Sequence, residues 1–168
     1  MGTTGKYENY PIWIVILANL VSIAIYALGF LIIHRLGLFF SLLYLLYILI
    51  LEYRLIRKHC TSCYYWGKTC GFGQGRLSSW LFKKEPISKF CATKMTWADM
   101  IPDILVSLIP FVIGIIQLII KFDLILLSAL LLLLFLTTSG NGFIRSKLTC
   151  AYCKQKELGC PADALFHS

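Results

Sequence analysis

Apolar residues in this chain do not alternate with polar ones at the period of a strand or a surface helix; they run on through four long stretches. Pro11 to Ile33 is 23 residues without a formal charge. A helix of that length, at about 1.5 Å per residue, crosses a hydrocarbon layer of roughly 30 Å with some tilt. Pro11 suits the first turn, where the amide it lacks would have no partner. His34, Arg35, Leu36 and Gly37 interrupt the run, and a second span over 36–53 closes at Glu52, Tyr53 and Arg54. After a polar stretch, 101–120 reads as a third span. Lys121, Phe122 and Asp123 form a tight turn into a fourth over 123–139, with Gly140, Asn141 and Gly142 reading as a helix stop. Short connections make each pair an antiparallel hairpin.

The expected fold is therefore all-α and integral to a membrane, a single domain over 1–168 with four transmembrane helices in two tandem hairpins. Composition strengthens this. Hydrophobic residues make up 58% of the chain and charged ones 14%, against about 25% charged in soluble domains, so the lipid bilayer is the expected partner of the apolar surface. The first span reads as a retained helix rather than a cleaved signal, because its apolar run exceeds a signal core and Lys6 is the only basic residue ahead of it. Met1 and Gly2 do not open a myristoylation motif, since position six is Lys.

The formal charge of +8 finds its explanation in topology. Four crossings put both termini and the central segment on one side. That side holds fourteen of the sixteen basic residues: Lys6, the nine from Arg54 to Lys94, and Arg145, Lys147, Lys154 and Lys156; the other side has Arg35 and Lys121. Such a bias places the N- and C-termini and the cysteine motifs in the cytoplasm, and it leaves no call for nucleic acid as a partner.

Six of the seven cysteines fall into two triplets of one spacing. Cys60, Cys63 and Cys70 form C-x2-C-x6-C over 60–70, and Cys150, Cys153 and Cys160 repeat it over 150–160. Each triplet follows a hairpin and an upstream Ile-Arg pair, so the chain reads as an internal repeat related by a pseudo-twofold axis along the membrane normal. Cysteines packed as small hydrophobes would lie within the spans, where there are none, and disulfides do not suit a reducing cytoplasm. Metal ligation remains, because a C-x2-C turn presents two thiolates to one ion. His59 and Cys91 are candidate extra ligands.

This double C-x2-C-x6-C pattern resembles the cysteine spacing of the fungal binuclear zinc cluster, in which six thiolates hold two zinc ions through two shared sulfurs. The resemblance covers the six cysteines alone. It implies six ligands with Cys60 and Cys150 as the shared sulfurs, and it carries neither fold nor DNA binding, since a membrane hairpin separates the two halves here. One four-cysteine zinc site, or two separate sites, would also use these residues. An iron-sulfur cluster competes, because each triplet offers three thiolates and Pro161 follows Cys160, although the x6 gap is wider than in ferredoxin runs.

Segment 71–98 reads as interfacial. Gly71, Phe72, Gly73, Gln74, Gly75 and Arg76 suggest a tight turn, or less specifically an anion-binding nest. Leu77, Trp80, Leu81 and Phe82 ahead of Lys83 and Lys84 suggest a short helix lying in the interface and ended by Pro86, with Trp97 at head-group level. The spans contain few polar groups, chiefly Asn19 and Gln117, and Asp103 reads as a favourable charge near the start of the third. No paired carboxylates, serine-base set or H-E-x-x-H motif points to hydrolytic catalysis, so enzyme chemistry is left only to redox at the cysteines. The functional expectation is a scaffold or accessory subunit with a cytoplasmic cysteine-ligated metal site, zinc first. It would serve a larger membrane complex or a cytoplasmic protein. An iron-sulfur electron-transfer or redox-sensing subunit is the alternative, and metal-ion handling a third reading. A membrane-impermeant maleimide should label the cysteines in inverted vesicles and not from outside intact cells; labelling from outside would reverse the topology.

Overall fold

A computed structural model describes residues 5–92 and 96–161. Met1, Gly2, Lys94 and the C-terminal end of the chain lie outside the described residues. Within them the fold is all-helical, with four helices long and apolar enough to cross a membrane. Helix α1 is Ile12–His34 and α2 is Leu38–Leu55, continued by one wider turn over Ile56–Cys60. Two short helices follow, α3 at Gln74–Leu81 and α4 at Ile87–Ala92. Helix α5 is Trp97–Ile120, and α6 is Leu124–Phe135, from which helical turns of mixed width run on to Tyr152.

Helix α1 is the centre of the bundle. One of its faces packs Ile25 and Ile32 against Leu126, Leu130 and Leu133 of α6. The opposite face sets Ile33 against Tyr44, Ile48 and Leu51 of α2 and Val106 of α5, with Tyr26 touching both clusters. At most 28% of the apolar stretch of any span is buried by the rest of the protein. The remaining outward surface of Leu, Ile and Phe is suited to lipid chains, not water. At the far end, Arg35 and Asp123 join the two hairpin turns at 2.6 Å, and the guanidinium's hydrogen bond holds the Asp123 carboxyl below the usual carboxylate range. Asp123 also caps α6 by accepting from the Ile125 amide.

One polar contact at the heart of the bundle follows from a proline. Pro110 lies inside α5 and has no amide to offer the Val106 carbonyl one turn back. The Tyr44 hydroxyl donates to that carbonyl at 2.7 Å. It reaches there over Gly29 of α1, where an added Cβ would stand 2.2 Å from the hydroxyl oxygen.

The helix ends differ from those expected. Helix α5 begins at Trp97, not near Ile101, because Thr96 and Asp99 cap each other: the Thr96 hydroxyl and amide both donate to the Asp99 carboxylate, at 2.7 and 3.1 Å. The N-terminal charge assigned to Asp103 is therefore carried by Asp99, and Asp103 lies beyond the first turn. The second helix runs past 53 as far as Cys60, which puts Glu52 two turns inside it. In α6 the Gly140, Asn141 and Gly142 cluster does not stop the helix. Gly140 keeps helical dihedrals with Val21 of α1 beside it, and tertiary packing outweighs a weak local preference. Back-bonding of Thr137 and Thr138 to carbonyls four residues earlier accompanies the widening of the turns that begin at Leu136.

Tyr44→Phe should cost about 1–2 kcal/mol in detergent unfolding, the range for an interhelical hydrogen bond. Gly29→Ala should cost more, because its methyl displaces the same hydroxyl; equal stability of both variants with wild type would contradict the assignment.

Candidate functional site

Both cysteine motifs gather at the end of the bundle opposite the Arg35 and Asp123 pair, around a small core of Tyr10, Ile14 and Tyr65. Cys63, Cys70 and Cys153 all pack against it. Each hairpin delivers its motif in a similar way. The second helix of each pair widens just before the first cysteine, at Ile56–Cys60 and at Ile144–Thr149, and anchors itself with a buried isoleucine, Ile56 or Ile144.

The two motifs exchange hydrogen bonds at matching positions. The amide of Tyr64, the residue after Cys63, donates to the Gln155 side-chain oxygen at 2.7 Å. The amide of Lys154, the residue after Cys153, donates to the Tyr65 hydroxyl at 3.0 Å. In each direction, the amide one residue past the second cysteine meets a side chain two residues past the second cysteine of the other motif. The accepting residues Tyr65 and Gln155 are 2% exposed each, so each amide is met by a side chain fixed in the protein interior.

A segment that the sequence left blank lies between the motifs. Tyr7 pairs with Cys153 in an isolated bridge and donates its amide to the Tyr152 carbonyl, while its own carbonyl accepts from the Tyr65 hydroxyl. Glu8 accepts from Tyr64 and pairs with Lys68 of the first motif and Lys154 of the second. Tyr10 donates its amide to the carbonyl of Thr69 and its hydroxyl to that of Thr149. Those two threonines immediately precede Cys70 and Cys150. The only sequence signal was the tyrosine content of residues 7–10, which carries no periodicity to read.

Amides point at three sulfurs. The Tyr65 amide bonds to the Cys63 sulfur, the Gln155 and Lys156 amides to that of Cys153, and the Gly75 amide to that of Cys70 at 3.4 Å. These are the donors that a thiolate bound to a metal uses. Burial outweighs them in the metal-free protein. It pushes the Cys63 thiol up to about 12, with Cys153, Cys70 and Cys160 nearby adding to the rise. Burial raises Cys153 as well, helped by Cys150 and Cys160. Cys63 and Cys153, one from each motif, pack against the same core.

The remaining predicted ligands are less tightly drawn in. Cys150 is exposed. Cys91, from α4, sits on the second motif: its thiol donates to the Leu158 carbonyl at 3.0 Å and accepts from Gln155 at 3.7 Å. His59 turns edge-on to Phe90, with the charges of Asp99 and Asp103 at the start of α5 among its neighbours. Among the described residues, no three His, Cys, Asp or Glu side chains stand close enough together to enclose a metal ion.

The glycine turn after Cys70 is inserted between the helices. The Phe72 carbonyl accepts from Asn19 of α1 at 3.1 Å. Gln74 donates to Glu52 at 2.7 Å, and its other amide atom accepts from the Cys60 thiol at 3.7 Å. Tyr26 donates to the second oxygen of Glu52 at 2.6 Å. The turn's polar groups are thus paired by side chains of the first two helices. The sequence concealed Glu52 because it stood at the apparent end of its span.

Comparison with known protein families, with curated proteins and with solved structures finds no match. The fold therefore defines a class only, a four-helix protein whose helices can cross a membrane.

Gln155→Leu and Tyr65→Phe should each cost about 1 kcal/mol, the net contribution of a part-buried hydrogen bond. The raised thiols favour the folded state while protonated, so their contribution is complete below the ordinary thiol value of 9.0 and is lost as pH rises toward about 12. Alkaline titration of metal-free protein should loosen the cysteine end first; flat stability across that window would refute the linkage.

Proposed function

We propose that this is a membrane scaffold or accessory subunit whose two helical hairpins are tied together, on the cytoplasmic side, by a metal-holding headpiece. Cys60, Cys63, Cys70, Cys150, Cys153 and Cys160 are the ligands, and Cys91 is the nearest candidate for a seventh. The observation that carries this reading is the reciprocal exchange between Tyr64 and Gln155 and between Lys154 and Tyr65. It supports a pseudo-twofold relation between the motifs, and the amides directed at Cys63, Cys70 and Cys153 suit thiolate ligation.

Zinc is the preferred ion, since sites built from thiolates alone are closed and structural. When bound, it would supply cross-linking between the halves and no reaction. Because the ligands are not drawn together in advance, metal uptake would complete the folding of the headpiece, and the residues 6–10 strap would hold the halves in register meanwhile. One observation favours metal-ion handling as a second reading. Glu52 is a carboxylate within an apolar helix, in hydrogen-bond sequence with Gln74 and Cys60, and intramembrane carboxylates commonly mark ion paths. Metal-dependent flux into vesicles, lost in Glu52→Gln, would select it.

Elemental analysis and optical spectra of anaerobically purified protein test the main proposal. Colourless protein with about two zinc ions per chain is expected if two sulfurs are shared. Brown protein with a paramagnetic signal after reduction would select the iron-sulfur alternative, and protein free of metal would sink both.

A further inference from the structure

Helix α3 is attached to the bundle at both ends and by one face. At its start Gln74 bonds to Glu52, and just past its end the Phe82 ring meets that of Tyr53 at 5.7 Å. Glu52 and Tyr53 are consecutive on the second membrane helix, so α3 lies across that helix instead of running along it. Its inner face is pressed onto the turn after Cys63. Ser78 is fully buried, and a Cβ on Gly75 would stand 2.2 Å from the Tyr65 carbonyl oxygen.

The outer face has the opposite character. Trp80 is 88% exposed, and Leu77 and Leu81 are exposed beside it. Arg76, Lys83 and Lys84 are exposed on the helix or just past it, Lys84 with its ammonium over the Trp66 ring at 5.9 Å, and none of the three forms an ion pair among the described residues. Between α3 and Gly67 a cleft of about 490 Å³ is lined by Arg76, Leu77, Ser79 and Trp80. An apolar ridge with a guanidinium and a hydroxyl at its edge fits a phosphate attached to an acyl chain.

We propose that the outer face of α3 is a binding site for an anionic phospholipid of the host membrane. Arg76 takes the head-group phosphate, Lys83 and Lys84 supply the surrounding positive field, and Trp80 inserts at the level of the glycerol backbone; the Ser79 hydroxyl, which donates to the Arg76 carbonyl at 2.7 Å, lines the site without being its anchor. Two features select lipid over a protein partner. The face is continuous, through Phe82 and Tyr53, with the lipid-facing side of the second span, where Tyr53 is itself exposed. Its charge is of one sign, the sign that complements an anionic leaflet. This site is independent of whether the cysteines hold metal.

The test uses the full chain in detergent, titrated with phosphatidylglycerol or phosphatidylcholine and read by native mass spectrometry. Wild type should prefer phosphatidylglycerol, and the triple variant Arg76→Gln, Lys83→Gln, Lys84→Gln should lose roughly tenfold or more of that preference. All three side chains are exposed, so the variant is expected to fold, and its helical circular dichroism checks this. In vesicles, the fluorescence difference between wild type and Trp80→Phe should be quenched by brominated phosphatidylcholine. An unchanged lipid preference in the triple variant would overturn the proposal. So would quenching of the Trp80 signal by aqueous acrylamide alone, which would turn this face toward a soluble acidic partner.

Discussion

Four helices of this chain are long and apolar enough to cross a membrane, and lipid offers no hydrogen bonds. Every backbone carbonyl or amide that a helix fails to pair must then be paired by another part of the protein. This constraint accounts for the polar contacts between the long helices. Pro110 leaves the Val106 carbonyl open, and Tyr44 closes it. The inserted turn after Cys70 exposes the Phe72 carbonyl, and Asn19 takes it. Where the two long hairpins end, the amides past Cys63 and Cys153 are met by side chains of the opposite motif. The carbonyls before Cys70 and Cys150 are both met by Tyr10.

The same constraint explains what could be read in the sequence and what could not. Four apolar runs are legible because only helices satisfy their own backbone in a bilayer, so the architecture follows from hydropathy. Helix ends are not legible, because they depend on contacts. Gly140 continues a helix that its own preference would end, since Val21 packs beside it, and Thr96 with Asp99 moves the start of α5 four residues ahead of the expected Ile101. Of the candidate site, the cysteine spacing announced two matched motifs, and both lie at the same end of the bundle on one core. Their reciprocal partners were hidden, because Tyr65 and Gln155 share position but not chemistry. The strap formed by residues 6–10 was hidden for another reason: its hydrogen-bond partners lie 56 or more residues away in the chain.

The cysteine end of the bundle is thus built as a stack of dependencies. The hairpins bring the motifs to one level, and the strap fixes their register. The inserted glycine turn then carries α3 out across the second span. Glu52 lies where these layers meet, bonded to Tyr26 of the first helix and to Gln74 of the headpiece. Any movement of the first motif is consequently felt by the helix pair beneath it. Wider turns stand ahead of Cys60 and Cys150 in both helices, a local irregularity frequent at functional sites.

The central claim is that sulfurs from separate halves of the chain share one site. Mild oxidation of anaerobic, chelator-treated protein, followed by peptide mapping, tests it most directly. A cross-link between a cysteine of 60–70 and one of 150–160 is expected, with Cys63 the preferred member of the first motif because it packs against the same core as Cys153. Cross-links confined within each triplet, at any extent of oxidation, would contradict it.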